Sequence, residues 1–576
     1  MDPFSKEVLT FIKREKPFNC NNDKPLLVKT NQNTLFIDHS SLSAYNVSHI
    51  SQLTCRYANL CIRNNDHYKK NCDHGWKLLS NETVITKEDY IKVVCRRDIK
   101  KIFQNCYTFV HAKHTVQKKY DNDVFLARSY NVLMIGTDAV SRLNFHRQLS
   151  KTSKRLTDLG AIELLGYTKV ADETFPNLLP LLTGMSEADR LSRVLPLEYC
   201  PWIWENFTEA GFVTGYGEDA PHLSLFTYNK HSLKKKIADF NLMPFMEIVD
   251  GRIGHLNKFI SNLCIGPQMS IEVLFNYIIK FATLLSSFRT FGFFWSTSLT
   301  HDDLNYARFA DELYINFLDE LHASGTLENT ILILLSDHGL RTGKIRSVYQ
   351  GFLEDRLPYV FFLFPKSFQE LYPQAITNLK INTHRLTTPF DLHNTLLDLI
   401  HPEKLNKQII EMRSKELQNT KIKSTSISLF LPIHKFRTCK NARISLFWCT
   451  CLRSKVISSN STYVKTMSII LVDHLNSMID AYLMCSVLSL AEIVSVRLEF
   501  SSFKDLFSNK NYKTKSYIIT IRTKPGNALF EGFIRHEEDS DIYHVLGDII
   551  RINTYNDGSK CVTDHHIKKY CYCVKN

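Results

Sequence analysis

The chain has 576 residues, 44% of them hydrophobic and 22% charged, the balance of an ordinary globular protein. With 20 Gly and 17 Pro, both scarce for this length, a collagenous, linker-rich or largely disordered chain is excluded. Lys and Arg (71) exceed Asp and Glu (58) by 13, which suits an anionic substrate or surface; the basic run Lys234-Lys235-Lys236 is short, and no nucleic-acid-binding motif accompanies it.

The first residues, MDPFSKEVLTFIKREKPFNC, carry neither the apolar stretch nor the small-residue cleavage site of a secretory signal. The cysteines point the other way. Of 15, six lie before residue 110 (Cys20, Cys55, Cys61, Cys72, Cys95 and Cys106) and seven after residue 435 (Cys439, Cys449, Cys451, Cys485, Cys561, Cys571 and Cys573). Cys200 and Cys264 lie between, so a middle without staples is expected between two stapled ends. Zinc is the competing use, but neither C-x-C pair (449/451 and 571/573) is followed by a second pair at zinc-ribbon spacing. Disulfides and an oxidising compartment are therefore expected, and sequons at Asn46, Asn81, Asn206 and Asn460 agree. An extracellular or secretory location follows, with a signal peptide expected ahead of the sequence given. An odd cysteine total leaves at least one thiol free or paired with another chain. Residues 1–125 show no clear periodicity and read as irregular β-structure with cysteine staples.

After residue 125 the pattern changes. The apolar run NVLMI (131–135) ends in Gly136-Thr137-Asp138, FGFFW (291–295) leads to His301, and ILILL (331–335) ends in Ser336-Asp337-His338-Gly339; PYVFFLF (358–364) follows. Short unbroken apolar runs are strands buried on both faces. Residues 302–324 place Phe309, Leu313, Phe317 and Leu321 on one helical face, with Gly325 as the stop. Strand, helix, strand at this spacing is a βαβ unit of a parallel sheet. The apolar windows 270–288 and 467–494 contain charged residues and read as buried helices rather than membrane spans. Near the end, 516–523 and 529–536 flank Lys524-Pro525-Gly526-Asn527 as a hairpin.

Ligands of parallel sheets collect beyond the carboxyl ends of the strands. Three strands here deliver Asp138, His301, and Asp337 with His338 to that edge. A carboxylate and an imidazole side by side can hold one divalent cation; on their own they read equally well as a strand-exit Asp with a surface His. In DETFPNLLPLLTG (172–184), Thr174 stands ahead of a helix. Its hydroxyl suits first of all an N-cap, and secondly a nucleophile aided by the helix dipole. Arg341 and Lys344 follow and suit an anionic substrate or a solvated surface.

Together, Asp138, the T-F-P-N of Thr174–Asn177 and Asp337-His338-Gly339 resemble the alkaline phosphatase superfamily, which includes phosphatases, nucleotide phosphodiesterases, phosphoglycerol transferases and sulfatases. VLMIGTDAVSRLNFHRQL (132–149), SDHGLRTG (336–343), RLTTPFDLHNTLLDL (385–399), FRTCKNARI (436–444) and the tail GDIIRINTY…YCYC (547–573) resemble, more narrowly, the animal extracellular proteins known as domain of unknown function 229. The resemblance implies an α/β fold: an alkaline-phosphatase-like three-layer sandwich with a mostly parallel central sheet. It implies a catalytic domain at 126–405, a Cys-rich N-terminal extension at 1–125, and a Cys-rich α+β C-terminal region at 406–576 packed on it. Asp138, Thr174, Asp337 and His338 match the first metal site, for Zn, Mn or Mg, with Thr174 as metal-bound nucleophile. Asn177 matches a residue that contacts a substrate oxygen, and His301 a substrate-contacting His. A second metal site would draw on Asp302, Asp303 and a late ligand, His384 or His393, but the His expected four residues after the carboxylates is missing. Thr174-Phe175-Pro176-Asn177 also departs from the C/S-x-P-x-R of sulfatases. The expected protein is a secreted metal-dependent hydrolase or transferase of a phosphomonoester or diester on a glycan, lipid or nucleotide. The alternative is a non-catalytic extracellular interaction protein that keeps the fold.

Overall fold

A computed structural model describes residues 1–60, 75–112, 129–226, 236–257, 260–419, 425–500, 514–554 and 556–574. Cys61, Cys72, Lys234 and Lys235 lie outside them. Among the described residues the central sheet has seven strands: β1 (Asn131–Thr137), β2 (Ile162–Glu163), β3 (Val213–Glu218), β4 (Phe240–Asn241), β5 (Thr290–Ser296), β6 (Thr330–Leu335) and β7 (Val360–Leu363). Their order is β4-β3-β5-β1-β6-β7-β2. The first five run parallel, β7 is antiparallel to β6, and β2 to β7.

Every residue of β1, β5 and β6 is buried, because both faces are covered. Val132, Met134, Phe291, Phe293, Ile331 and Ile333 face α1 (Thr174–Thr183) and α5 (Pro389–Ile400). Leu133, Ile135, Phe294, Leu332 and Leu334 face α2 (Ser270–Leu284) and α3 (Asp311–Ala323). This is the expected three-layer α/β sandwich with a mostly parallel sheet. Register then sets the site: Thr137 pairs with Ser296, and Gly136 with Leu335, so β1, β5 and β6 end level.

Four expectations need correction. The helix expected over 302–324 begins at Asp311, after a 3₁₀ turn at Tyr306–Ala310. Asp303 Oδ1 accepts the Asn305 N–H (2.7 Å), a local turn that competes with helix. Residues 467–494 are not one helix: α6 (Thr462–Ile479) ends where Asn476 exchanges two hydrogen bonds with Leu488, and Ser489–Phe500 is a strand. The N-terminal part is more regular than expected. A three-stranded sheet (Val28–Asn31, Thr34–Ile37 and Glu82–Val84) accompanies a four-stranded antiparallel one built on Leu53–Asn59, Tyr90–Arg97 and Lys100–Thr108. Finally, the middle is not free of staples, because Cys264 is disulfide-bonded to Cys20.

Among the described residues the other disulfides are Cys55–Cys95, Cys439–Cys449, Cys485–Cys571 and Cys561–Cys573, while Cys200 and Cys451 are thiols. No described helix is long and apolar enough to cross a membrane. The C-terminal sheet is antiparallel: β8 (Arg453–Val456), β9 (Ser489–Phe500), β10 (Thr514–Lys524), β11 (Leu529–Glu537) and β12 (Ile542–Arg551), in that order, with the expected hairpin as β10–β11. Its Glu531 reaches into the body of the protein, where it pairs with Arg346 (3.2 Å) and Arg356 (3.4 Å), both fully buried.

Replacing Glu531 by Ala leaves Arg346, Arg356 and Lys169 to share the single Asp355 carboxylate in a dry interface. Chemical denaturation is expected to show a loss of about 3–5 kcal/mol, with the central and C-terminal sheets unfolding in one transition.

Candidate metal and nucleophile site

Asp138 leaves β1 with its N–H still donating to the Ser296 carbonyl (2.8 Å), the last rung of the ladder to β5. The next residue, Ala139, is left-handed (φ 59°), a conformation that costs a non-glycine residue about 1 kcal/mol or more. What holds it is the exit of β6: the Ala139 N–H donates to Asp337 Oδ1 (3.2 Å), which also accepts the His338 N–H (2.8 Å). Gly339 is required by space rather than by torsion, since a Cβ there would lie 2.3 Å from the Glu354 carbonyl oxygen.

His338 Nδ1 lies 2.8 Å from the Gly339 carbonyl. A carbonyl only accepts, so Nδ1 carries the proton and Nε2 is left with its lone pair. Nε2 stands 3.2 Å from Asp337 Oδ2, 3.3 Å from Thr174 Oγ1 and 3.8 Å from Asp138 Oδ1. Burial pushes this imidazole down to about 4, and the neighbouring Asp337 only partly opposes it, so the ring is neutral.

Thr174 does not cap its helix. Glu173 is the N-cap residue and Thr174 the first helical residue. The Thr174 hydroxyl donates to Asp138 Oδ1 (3.2 Å) and makes no capping bond to the helix. The N-cap reading is thereby set aside. The chain reaches this position through a loop that Asn177 organises. Its Oδ1 accepts from the N–H groups of Val170 (2.8 Å) and Ala171 (3.1 Å), and its Nδ2 donates to the carbonyls of Ala171 (2.9 Å) and Glu173 (3.0 Å). Asn177 is 1% exposed. Both its donors and both its acceptor positions are used, so the expected contact with a substrate oxygen has no atom left to make it.

Asp138, Asp337 and His338 bring ligand atoms within 4.8 Å of one another, all buried. Asp337 Oδ2 is buried with no hydrogen-bond partner, and burial holds both carboxylates above their usual range. Two carboxylates, one neutral imidazole nitrogen and a hydroxyl form a donor set that fits a divalent cation; the unpartnered oxygen is the kind of atom a cation satisfies.

The second set of candidates does not converge. Asp302 accepts from the Ile260 N–H (3.2 Å) and from His301, whose Nδ1 is 2.9 Å away. Asp303 is spent on its own turn. His384 is exposed. His393 sits behind α1, with Nδ1 donating to the Leu181 carbonyl (2.9 Å) and its ring against Gly184. His301 does belong to the site: it lines a pocket with Asp138, Glu173, Thr174, Phe175, Arg341 and residues 223–225. Burial opposes its charge, but the Asp302 hydrogen bond and Asp138 outweigh this and raise it above the ordinary imidazole value. Arg341 Nη1 lies 3.3 Å from Asp172 Oδ2 and 3.7 Å from Glu173 Oε2. Lys344 is exposed.

Sequence reasoning missed Asp219. It follows β3 as Asp138 follows β1, and it is 1% exposed. Its carboxylate takes the N–H groups of Thr297 (2.7 Å) and Ser298 (3.2 Å) and the hydroxyls of Ser296 (2.9 Å) and Ser298 (2.6 Å), which fixes the exit of β5 toward His301. The signal was the run Val213–Glu218, in which two glycines disguise a strand. A Cβ on Gly215 would lie 2.8 Å from Phe281, and one on Gly217 2.7 Å from Leu242.

The family described as "Protein of unknown function (DUF229)" matches residues 13–494. The chain belongs to the DUF229 family. None of the curated proteins matches it. Solved structures similar to this DUF229 chain include an alkaline phosphatase superfamily protein from Vibrio parahaemolyticus, at 11% identity over 78% of this chain and 90% of that one, TM-score 0.35. The lipoteichoic acid synthase LtaP from Listeria monocytogenes is similar at 11% identity over 44% and 71%, TM-score 0.31. Murine ectonucleotide pyrophosphatase/phosphodiesterase 5 is similar at 13% over 37% and 58%, TM-score 0.24.

Titrating the purified protein with Zn²⁺ or Mn²⁺ is expected to raise its melting temperature, and Asp337→Asn or His338→Ala to abolish the rise. Because burial holds the two carboxylates up when no cation is present, the apparent affinity is expected to increase with pH across the acid range. A pH-independent affinity, or an unchanged response in both variants, would contradict this donor set. Asn177→Ala leaves metal ligands in place but strips four bonds from the loop, and is expected to cost about 2–4 kcal/mol in denaturation.

Proposed function

We propose that the protein is a metal-dependent hydrolase or transferase that acts on a phosphoester through Thr174 as nucleophile. One observation carries this reading: Thr174 Oγ1 is turned away from its helix and placed 3.2 Å from Asp138 Oδ1 and 3.3 Å from His338 Nε2. Asp138, Asp337, His338 and the Thr174 hydroxyl would hold a divalent cation, which when bound supplies positive charge to an attacking oxygen and to the phosphoryl oxygens.

The chain's own groups support the rest. The Thr174 hydroxyl donates to Asp138 Oδ1, the acceptor placed to receive its proton. Thr174 begins α1, where the unpaired N–H groups favour negative charge. Attack of Oγ1 on phosphorus makes one O–P bond and breaks the ester O–P bond, leaving phospho-Thr174 and an alkoxide. His301, raised by Asp302 and Asp138 against the effect of burial, faces the same pocket and supplies a proton to the departing oxygen. Water gives a hydrolase and an acceptor alcohol a transferase when either displaces Thr174. Thr174 in place of the Cys or Ser from which formylglycine is made, with Leu178 where that motif has Arg, disfavours sulfate ester cleavage by a formylglycine route. The five disulfides among the described residues support an oxidising compartment, and Asn46, Asn81 and Asn460 are exposed for glycosylation.

A screen of phosphomonoesters, phosphodiesters and sulfate esters with Zn²⁺ or Mn²⁺ is expected to find turnover on a phosphoester that falls to background in Thr174→Ala. Mass spectrometry of acid-quenched protein is expected to locate phosphate on Thr174. Full metal occupancy without Thr174-dependent turnover on any class would favour the non-catalytic reading. Peptide maps of the secreted protein should show the ten paired cysteines resisting alkylation until reductant is added; ready alkylation of all ten would place the protein in a reducing compartment.

A further inference from the structure

The C-terminal tail enters the neighbourhood of the site at one residue. Lys569 Nζ lies 3.6 Å from Asp172 Oδ2, the carboxylate oxygen that Arg341 Nη1 approaches to 3.3 Å. Asp172 stands two residues before Thr174, and Arg341 lines the pocket with Asp138, Thr174 and His301. Lys569 falls outside the residues the family matches, 13–494.

Its position is built. The preceding turn, His565–Lys568, lies between the partners of two disulfides, Cys561–Cys573 and Cys485–Cys571. Tyr570 is buried and its hydroxyl donates to the Ile549 carbonyl (2.8 Å), while Arg551 Nη1 donates to the Lys569 carbonyl (3.3 Å). The ammonium is therefore delivered by a backbone fixed on both sides. Its surroundings are acidic: Asp172 and Glu173, and further off Asp548.

Arg341 faces two carboxylates, Asp172 and Glu173. Lys569 approaches the same Asp172 oxygen as Arg341 and takes up part of that carboxylate. We propose that Lys569 is a positioning residue of the phosphoester site: by sharing Asp172 with Arg341, it leaves the Arg341 guanidinium available to an anionic oxygen of the substrate. The stapled tail is then part of substrate recognition. This rests on the function proposed above, with Arg341 as the residue that meets the anion.

The test has one arm that needs turnover and one that does not. In the first, the full-length metal-loaded protein turns over bis-p-nitrophenyl phosphate. Lys569→Ala is expected to raise KM about fivefold, with a smaller change in kcat. The difference should shrink as salt rises, and Lys569→Arg should restore KM. In the second, phenylglyoxal modification of Arg341 is followed by peptide mass mapping with and without inorganic phosphate. Phosphate is expected to protect Arg341 in the wild type and in Lys569→Arg, and not in Lys569→Ala. Equal protection in Lys569→Ala and wild type, no protection in the wild type, or a kcat loss that Lys569→Arg does not rescue would each overturn the proposal. Absence of turnover combined with Lys569-dependent protection would overturn the enzymatic reading and leave the anion site standing.

Discussion

The Asp355 carboxylate is the point from which much of the structure hangs. It is buried and lies 2.7 Å from Lys169 Nζ, 3.1 Å from Arg346 and 3.3 Å from Arg356. Glu531, from the C-terminal sheet, takes the other side of both arginines. Burying so many charges is expensive unless they are paired, and here Lys169, Arg346 and Arg356 each meet a carboxylate, although Arg346 Nε is left without a hydrogen-bond partner. Arg356 stacks 3.6 Å from the Phe352 ring centroid and donates to the Phe352 and Phe447 carbonyls. Lys169 lies over Trp448 (4.1 Å) and donates to the Asp172 carbonyl (3.1 Å). Glu499, held up to about 8 by burial, is the member that stays neutral. The loop from Lys169 to Glu173 that presents Thr174 is thus anchored at its start by this network and at its end by Asn177.

A second constraint is level strand ends. Because β1, β5 and β6 stop in register, Asp138, Ser296 and Asp337 leave the sheet at one height, and short hydrogen bonds tie the exits together. Asp219 does for the exit of β5 what Asp337 does for that of β1: a carboxylate from one strand takes the N–H groups of the next. The difference between them is informative. Asp219 spends both oxygens on four donors, whereas Asp337 spends one and leaves the other buried and unpartnered. A closed carboxylate supports its surroundings; an open one beside a second carboxylate and a neutral imidazole is suited to a cation.

Much of this was legible in the sequence because parallel strands buried on both faces write themselves as unbroken apolar runs, and the residues after such runs must lie at the ligand edge. Asp138, Asp337 and His338 were readable on that basis, and Thr174 from the family resemblance that its T-F-P-N carries, since the start of a helix alone favoured a capping hydroxyl. What escaped depends on partners far away in the chain. Whether Asn177 faces a ligand or its own loop is decided by the path of Val170–Glu173. β3 was hidden because packing against Phe281 and Leu242 demands glycine where a strand would show apolar residues. The alternation of Tyr90–Arg97, a half-buried strand, is blurred by Val94 on the face of Lys92 and Arg96 and by Arg97 on the face of Ile91, Val93 and Cys95. The Cys20–Cys264 pairing spans 244 residues, and no spacing rule reaches that far.

The three-part division of the chain is a division of sheets, and the strongest interactions ignore it. Cys20 is tied to the strand Asn262–Ile265 in the middle of the chain. Glu531 neutralises arginines on either side of α4 (Tyr349–Arg356), and Phe447 and Trp448 cover the same charges. Cutting the chain near residue 405 would therefore leave Arg346, Arg356 and Lys169 facing water or one another with only Asp355 between them. The loop that carries Asp172 and Thr174 would lose its anchor before any ligand residue was touched. The donor residues all belong to the central sheet and its helix, but Glu531 of the C-terminal sheet, with Phe447 and Trp448, helps hold the network that anchors their loop. The C-terminal region is for that reason a structural component of the site.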